Sequence, residues 1–189
     1  MSEVGRRFLG VDANPNLRVI TTDGRPYLQL TDERYDLIVV DAYRQPYIPF
    51  YLATREFFEL TRDRLTPGGV LALNVAAVPG DERLSEAIGS SVLAAYPQAW
   101  RWKPLRFNEL MLGFQSPVER ADLSGRAEDA PDAVASLVPL FQSGIELVRG
   151  TRDPLTDDHA PVEWLTDRMI IEHIARGGEL DEELLPTAP

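Results

Sequence analysis

The sequence predicts an α/β fold: a mostly parallel sheet with helices on both faces, incomplete at its amino-terminal side and followed by a helical C-terminal tail. Three observations predict it. Leu37-Ile38-Val39-Val40 is a run of four aliphatic residues, and Val70 to Val75 is apolar but for Asn74. Such runs are the mark of strands buried on both faces. Helical patterns alternate with them, which implies right-handed crossovers between parallel strands. With 189 residues and 44% hydrophobic content, the chain can bury one sizeable core.

Taken in order, Glu3 to Leu9 has Val4 and Phe8 at helical spacing and stops at Gly10. It reads as the end of a longer helix, since so short a helix is marginal alone. Leu17 to Thr22 is rich in β-branched residues, is closed by Asp23-Gly24, and is expected to be a strand. Pro26 to Leu30 reads as a short helix and Tyr35 to Val40 as the next strand. After a loop rich in Pro and Tyr, Thr54 caps a helix running to Leu65. Pro67-Gly68-Gly69 ends that helix, and Val70 to Val75 is the following strand. Leu84 to Tyr96 reads as helix, and Ala99 to Pro104 with Glu109 to Phe114 as a closing antiparallel pair. Residues 119 to 132 are acidic and read as a loop. Ala133 to Phe141 and Val162 to Ala175 read as amphipathic helices. The second places Val162, Leu165, Met169 and Ile170 near one face, and Gly177-Gly178 ends it. The expected division is 1–118, a partial Rossmann-like domain, and 119–189, an acidic loop and helical tail of the same domain.

The formal net charge of −11 argues against nucleic acid, which needs a basic surface. It suits a cationic small substrate, because an acidic cleft concentrates cations, and it also serves solubility. The chain has no cysteine, which excludes disulfides and thiolate chemistry and fits a cytoplasmic setting. No apolar run approaches the roughly 20 residues of a membrane span, and Met1-Ser2-Glu3 does not open a signal peptide.

Ligands of parallel α/β sheets bind beyond the carboxyl ends of the strands. Asp23, Asp41 and Asn74 fall at such ends, so the expectation is that they line one edge. Asp and Asn in these places also stabilise turns and cap helices, and that reading stays open for each. The loop Ala42 to Tyr51 adds Tyr43, Arg44, Tyr47 and Tyr51, stiffened by Pro46 and Pro49. Its aromatic side chains either cover a flat ligand or pack on the next helix. Asp157-Asp158-His159 precedes Pro161 and reads as helix capping, not as a metal site.

Several segments together resemble the spermidine synthases, the polyamine aminopropyltransferases with their methyltransferase-type Rossmann domain. They are Thr22-Asp23-Gly24-Arg25, Tyr35 to Asp41, Thr54-Arg55-Glu56-Phe57-Phe58, Leu65 to Leu71, and Leu155-Thr156-Asp157-Asp158-His159-Ala160-Pro161-Val162-Glu163. The resemblance spans most of residues 3 to 170. It implies aminopropyl transfer from decarboxylated S-adenosylmethionine to a small-molecule amine, with the nucleoside (or S-adenosylmethionine itself) as co-substrate and no permanently bound cofactor. It further implies Asp41 as the catalytic aspartate, the candidate base, Asp23 with Gly24 at the adenine, Asn74 beside the co-substrate, and Tyr43 and Arg44 near the acceptor. The family has a second acid three residues after the first, where this chain has Arg44. The family's glycine-rich loop and its ribose-binding acid have no counterpart in the 189 residues. The expectation is therefore a chain inactive alone, joined in a homo-oligomer or with a complementary amino-terminal polypeptide. A methyltransferase-like subunit and a non-catalytic binding module remain the other readings.

Overall fold

The computed structural model describes residues 13–43 and 46–179. The expected helix end at Glu3 to Leu9 and residue Arg44 lie outside the described residues. The chain divides between Thr31 and Asp32 into two compact units, each described by itself.

Among the described residues of the first unit the α-helix is α1, Gly24–Leu30. Asp23 starts it: the carboxylate accepts from the Arg25 amide at 3.0 Å, and the Asp23 carbonyl takes the Tyr27 amide at 3.2 Å. The helix thus begins two residues before the expected Pro26. Leu17 to Thr22 is not a strand, contrary to its composition. Leu17 and Ile20 are exposed. A β-branched sequence favours a strand only where a pleated, half-buried surface receives it, and propensity alone did not suffice.

The second unit runs β1 (Tyr35–Val40), a 3-10 turn (Phe50–Leu52), α2 (Arg55–Asp63), β2 (Leu65–Ala76), α3 (Arg83–Ala95), β3 (Gln98–Trp102) and β4 (Asn108–Phe114). It continues with α4 (Arg120–Glu128), a second 3-10 turn (Asp132–Leu137), α5 (Val138–Gly144), β5 (Glu146–Leu147) and α6 (Val162–Ala175). The strands form one sheet in the order β1-β2-β4-β3-β5. β1 and β2 are parallel, and the other three pairings are antiparallel. The acidic stretch expected as a loop contains α4. Its Arg, Ala, Leu and Glu are adequate helix formers, and the charge is simply carried on an exposed helix.

β2 starts earlier than expected because Leu65 already pairs with Tyr35, before the turn at Pro67. The ladder then slips between Tyr35 and Leu37, and Gly68 takes a positive φ of 82°. A Cβ on Gly69 would sit 3.0 Å from the Tyr35 carbonyl oxygen, so the close crossing of the two strands requires glycine there.

One face of the sheet carries Ile38, Val40, Leu71, Leu73 and Met111, all buried. Phe57 and Phe58 of α2 and Ile88 and Val92 of α3 are buried with them. Gly113 is where the sheet comes within about van der Waals range of Tyr96 and Val92. On the opposite face, Phe141 of α5 stacks edge-on against Trp102, with centroids 5.4 Å apart. Helices therefore lie on both faces. The cover does not reach β1, where Leu37 is 55% and Val39 61% exposed. The sequence expectation of burial on both faces fails for this strand, because it is an edge with one face open.

α6 packs through Val162, Leu165, Thr166 and Met169. It is tied to α3 by Arg83, whose guanidinium donates to both oxygens of Glu172 at 3.1 and 2.9 Å. Gly177, with φ 81°, and the Gly178 amide bonded to the His173 carbonyl close its end. Among the described residues no helix is long and apolar enough to cross a membrane.

Candidate functional site

The parallel pairing of β1 and β2 sets their carboxyl ends side by side. β4 runs the other way, so its first residue arrives at the same edge, with Asn108 opposite Ala76. Three polar side chains meet there. The Asn108 amide nitrogen donates to Asn74 Oδ1 at 3.0 Å, and Asn74 Nδ2 donates to Asp41 Oδ1 at 2.9 Å. The order of this chain follows from chemistry. An ionised carboxylate only accepts, so Asn74 must turn its NH2 to Asp41, which leaves its oxygen to accept from Asn108.

Asp41 is exposed. One oxygen is held by Asn74 and the other takes no hydrogen bond among the described residues. A carboxylate fixed through one oxygen and open at the other can orient a cation or take up a proton. Tyr43 stands behind it: its hydroxyl donates to the Asn74 backbone carbonyl at 2.8 Å. Burial pushes the Tyr43 hydroxyl far above its ordinary range, and the nearby Asp41 charge adds to this, so it stays a donor at any working pH. Tyr43 thus pins the loop after β1 to β2.

Of the expected residues, Asp41, Asn74 and Tyr43 are brought together. Asp23 belongs to the first unit, where it is the N-cap of α1 with Gly24 as the first helical residue. Asn108 was not anticipated. The signal was present in its place at the start of a strand antiparallel to β2, but it becomes visible only once the register is known. Tyr47 donates to the exposed Asp167 carboxylate at 2.5 Å, and Tyr51 stacks edge-on against Phe50.

The segment Leu155 to Pro161 does cap a helix, but not the one that follows it. Thr54 Oγ1 accepts from the Phe57 amide at 3.4 Å and donates to Asp157 Oδ1 at 2.7 Å. The Asp157 amide donates to Glu56, and the Arg55 amide to the Leu155 carbonyl. The carboxylate is therefore engaged at the amino end of α2, while α6 begins at Val162 with Pro161 before it and no side-chain cap. Among the described residues no group of three or more His, Asp or Glu is placed to hold a metal ion.

A buried acid also escaped the sequence reading. Glu109, in β4, is wholly buried and accepts from Ser85 Oγ at 2.6 Å. Its other oxygen has no hydrogen bond, although Lys103 and Arg101 approach to 3.6 and 3.9 Å. Burial pushes its carboxyl up, and the two cations only partly offset this. The adjoining cleft of about 450 Å³ is lined by Ser85, Glu86, Arg101 and Glu146 among others. Arg101 is paired to Glu146 and Glu82, and Glu86 to Arg152, whereas Arg120 and Arg149, which also line the cleft, form no ion pair among the described residues.

No protein-family model matches the chain. It is 35% identical over 86 residues to a probable polyamine aminopropyl transferase of Bifidobacterium longum, covering 45% of this chain and 19% of that protein. It is 38% identical over 77 residues to a polyamine aminopropyltransferase of Vibrio vulnificus, covering 39% of this chain and 26% of that one. The match thus spans about a fifth to a quarter of these relatives' length. Among solved structures, a probable spermidine synthase from Corynebacterium glutamicum superposes with a TM-score of 0.58 at 16% identity, covering 100% of this chain and 62% of that one. Human methyltransferase-like protein 13, solved in complex with SAH, gives a TM-score of 0.57 at 22% identity, covering 73% and 66%. At these identities the structural likeness speaks for the fold, which is the methyltransferase type.

Proposed function

We propose that this chain, which is spermidine synthase-like and has a methyltransferase-type α/β fold, supplies the acceptor side of an aminopropyl transfer. The donor is decarboxylated S-adenosylmethionine and the acceptor a small amine. The observation that carries the reading is the Asn108–Asn74–Asp41 chain at the carboxyl edge of β1 and β2, with one Asp41 oxygen left open. An aliphatic amine is mostly protonated at neutral pH and must lose a proton before it can attack. In this reading the open oxygen of Asp41 holds the ammonium and takes that proton. The freed nitrogen lone pair attacks the carbon beside the sulfonium, the carbon–sulfur bond breaks, and methylthioadenosine leaves with the bonding pair. No metal or resident cofactor is required.

Asp23 with Gly24 is proposed as the adenine contact on its sequence resemblance. Asn74 serves by aiming Asp41, Tyr43 by fixing Asn74, and Arg44 as the residue that selects the acceptor. Residues 1–118 carry the sheet chemistry in this reading, and 119–189 form a tail that buttresses it through the Glu172–Arg83 and Asp157–Thr54 hydrogen bonds. The 189 residues contain no Gly-x-Gly-x-Gly loop, so the polypeptide by itself is proposed to turn over little and to work in a larger assembly. Arg44 favours one second reading, a methyltransferase-like subunit acting on an anionic acceptor.

The test is methylthioadenosine release from decarboxylated S-adenosylmethionine with a panel of amines. It is run on the chain alone and on the chain mixed with the amino-terminal half of a matched aminopropyltransferase. Product from the mixture with an amine supports the reading. Methyl transfer from S-adenosylmethionine without aminopropyl transfer moves it to the second one.

A further inference from the structure

β5 lies at the end of the sheet opposite β1, the strand that leads to Asp41. After β5 the chain runs from Val148 to Leu155 without helix or strand, yet it is fastened along its length. The Val148 amide donates to the Ala99 carbonyl of β3 at 2.9 Å, the Arg152 amide to Ser90 Oγ at 3.3 Å and the Leu155 amide to Ser91 Oγ at 2.8 Å. Both serines belong to α3 and are buried. Between the first two ties stand Arg149 and Thr151, and both line the cleft of about 450 Å³. Positive charge is left over there, in a chain whose formal net charge is −11. The two glutamates of the cleft are engaged, Glu86 by Arg152 at 2.8 Å and Glu146 by Arg101 at 3.0 Å. Arg120 donates from Nη2 to the carbonyls of Gln142 and Ser143 at 3.0 and 3.4 Å, which position the guanidinium without neutralising it. The side chains of Arg149 and Thr151 make no hydrogen bond among the described residues.

We propose that this cleft binds a phosphate group, as the free ion or as a monoester, through Arg120, Arg149 and Thr151. Each guanidinium offers a planar fork of donors, and the hydroxyl adds one more. A single fork already fills a planar carboxylate, whereas a phosphate has further oxygens for the second guanidinium and the hydroxyl. Glu86 and Glu146 would repel an anion if they stood alone, and Arg152 and Arg101 offset them. The cleft lies within the range of small-molecule sites, about 300–1,000 Å³, so it has room for an organic group on the phosphate. The exposed Leu147 in its wall gives that group an apolar contact. Being at the β5 end of the sheet, this site is independent of the chemistry assigned to Asp41.

The test is an NMR titration of the isotope-labelled chain with inorganic phosphate at neutral pH. Sodium chloride keeps the ionic strength constant, so that general screening does not change. The backbone amides of Leu147 to Thr151 should shift and saturate. Phenyl phosphate forms a second arm: tighter binding than inorganic phosphate identifies a monoester as the ligand, and no gain identifies the free ion. Succinate, a dianion with planar carboxylates, should bind several-fold more weakly than phosphate. Arg149→Ala and Arg120→Ala should each weaken phosphate binding by roughly tenfold or more, the usual worth of a charge-assisted hydrogen bond. Arg149→Ala should leave thermal melting unchanged, because that side chain is exposed and makes no bond. Shifts that never saturate, succinate binding as tight as phosphate, or phosphate binding unaltered in both variants would each overturn the proposal.

Discussion

Asp41 differs from the other acids of this acidic chain in how it is held. Asn74 grips one oxygen at 2.9 Å, and Asn74 is itself held on both sides, by Asn108 and by Tyr43. In a complemented, active assembly, Asp41→Asn keeps the shape but loses the charge and the base. Turnover should fall by roughly 10²-fold or more, read as kcat in steady-state methylthioadenosine release. Arg44→Asp should raise kcat/KM for diamines over monoamines, since a guanidinium near a second ammonium repels it by on the order of 1 kcal/mol or more. An unchanged preference would remove Arg44 from the acceptor site. Glu109 makes a prediction of a different kind. Its folded carboxyl is pushed above its unfolded value by burial, so folding favours the protonated form and stability falls as pH rises above about 4. Glu109→Gln still accepts from Ser85 and carries no charge to bury. It should melt higher than the parent near pH 7, with the difference vanishing below about pH 4, where both are neutral. Calorimetry at the two pH values checks the sign.

Among the elements, those announced by local chemistry were legible. Thr54 and the periodicity after it gave α2, and the aliphatic run gave β1 with its observed bounds. What stayed hidden depended on partners. Leu17 to Thr22 has strand composition but is not a strand, β5 is only two residues, and the burial of one face of β1 and not the other is a property of the sheet. The same holds for the site. Asp41 and Asn74 could be placed at strand ends from sequence, whereas Asn108 needed the β2–β4 register and Asp157 needed the long-range contact to Thr54. That contact carries the element-scale prediction. Thr54 is fully buried, caps α2 and anchors the segment before α6 with one hydroxyl. Thr54→Ala should cost about 1–2 kcal/mol in urea unfolding, at the upper end for a cap because Asp157 also loses its donor, while Thr54→Ser should recover most of it. Equal losses for Ala and Ser would mean that packing of the methyl group, not the hydroxyl, holds this junction.

At the scale of the whole molecule, the sheet is fully paired through β2, β4 and β3 and, among the described residues, open at β1, with the candidate acid at the end of that strand. The curated relatives extend far beyond the stretch matched here, and the likeness to solved structures is one of fold. In the proposed function the Asp41 edge performs aminopropyl chemistry once the nucleoside is held. It is tested most directly by the amount of methylthioadenosine released from decarboxylated S-adenosylmethionine and an amine panel by the complemented chain, compared with the same assembly bearing Asp41→Asn. The expected result is product near background from the 189-residue chain alone, clear product from the complemented chain, and a loss of roughly 10²-fold on Asp41→Asn. A folded complemented assembly that releases none with any amine, or one in which Asp41→Asn turns over as fast as the parent, would contradict it.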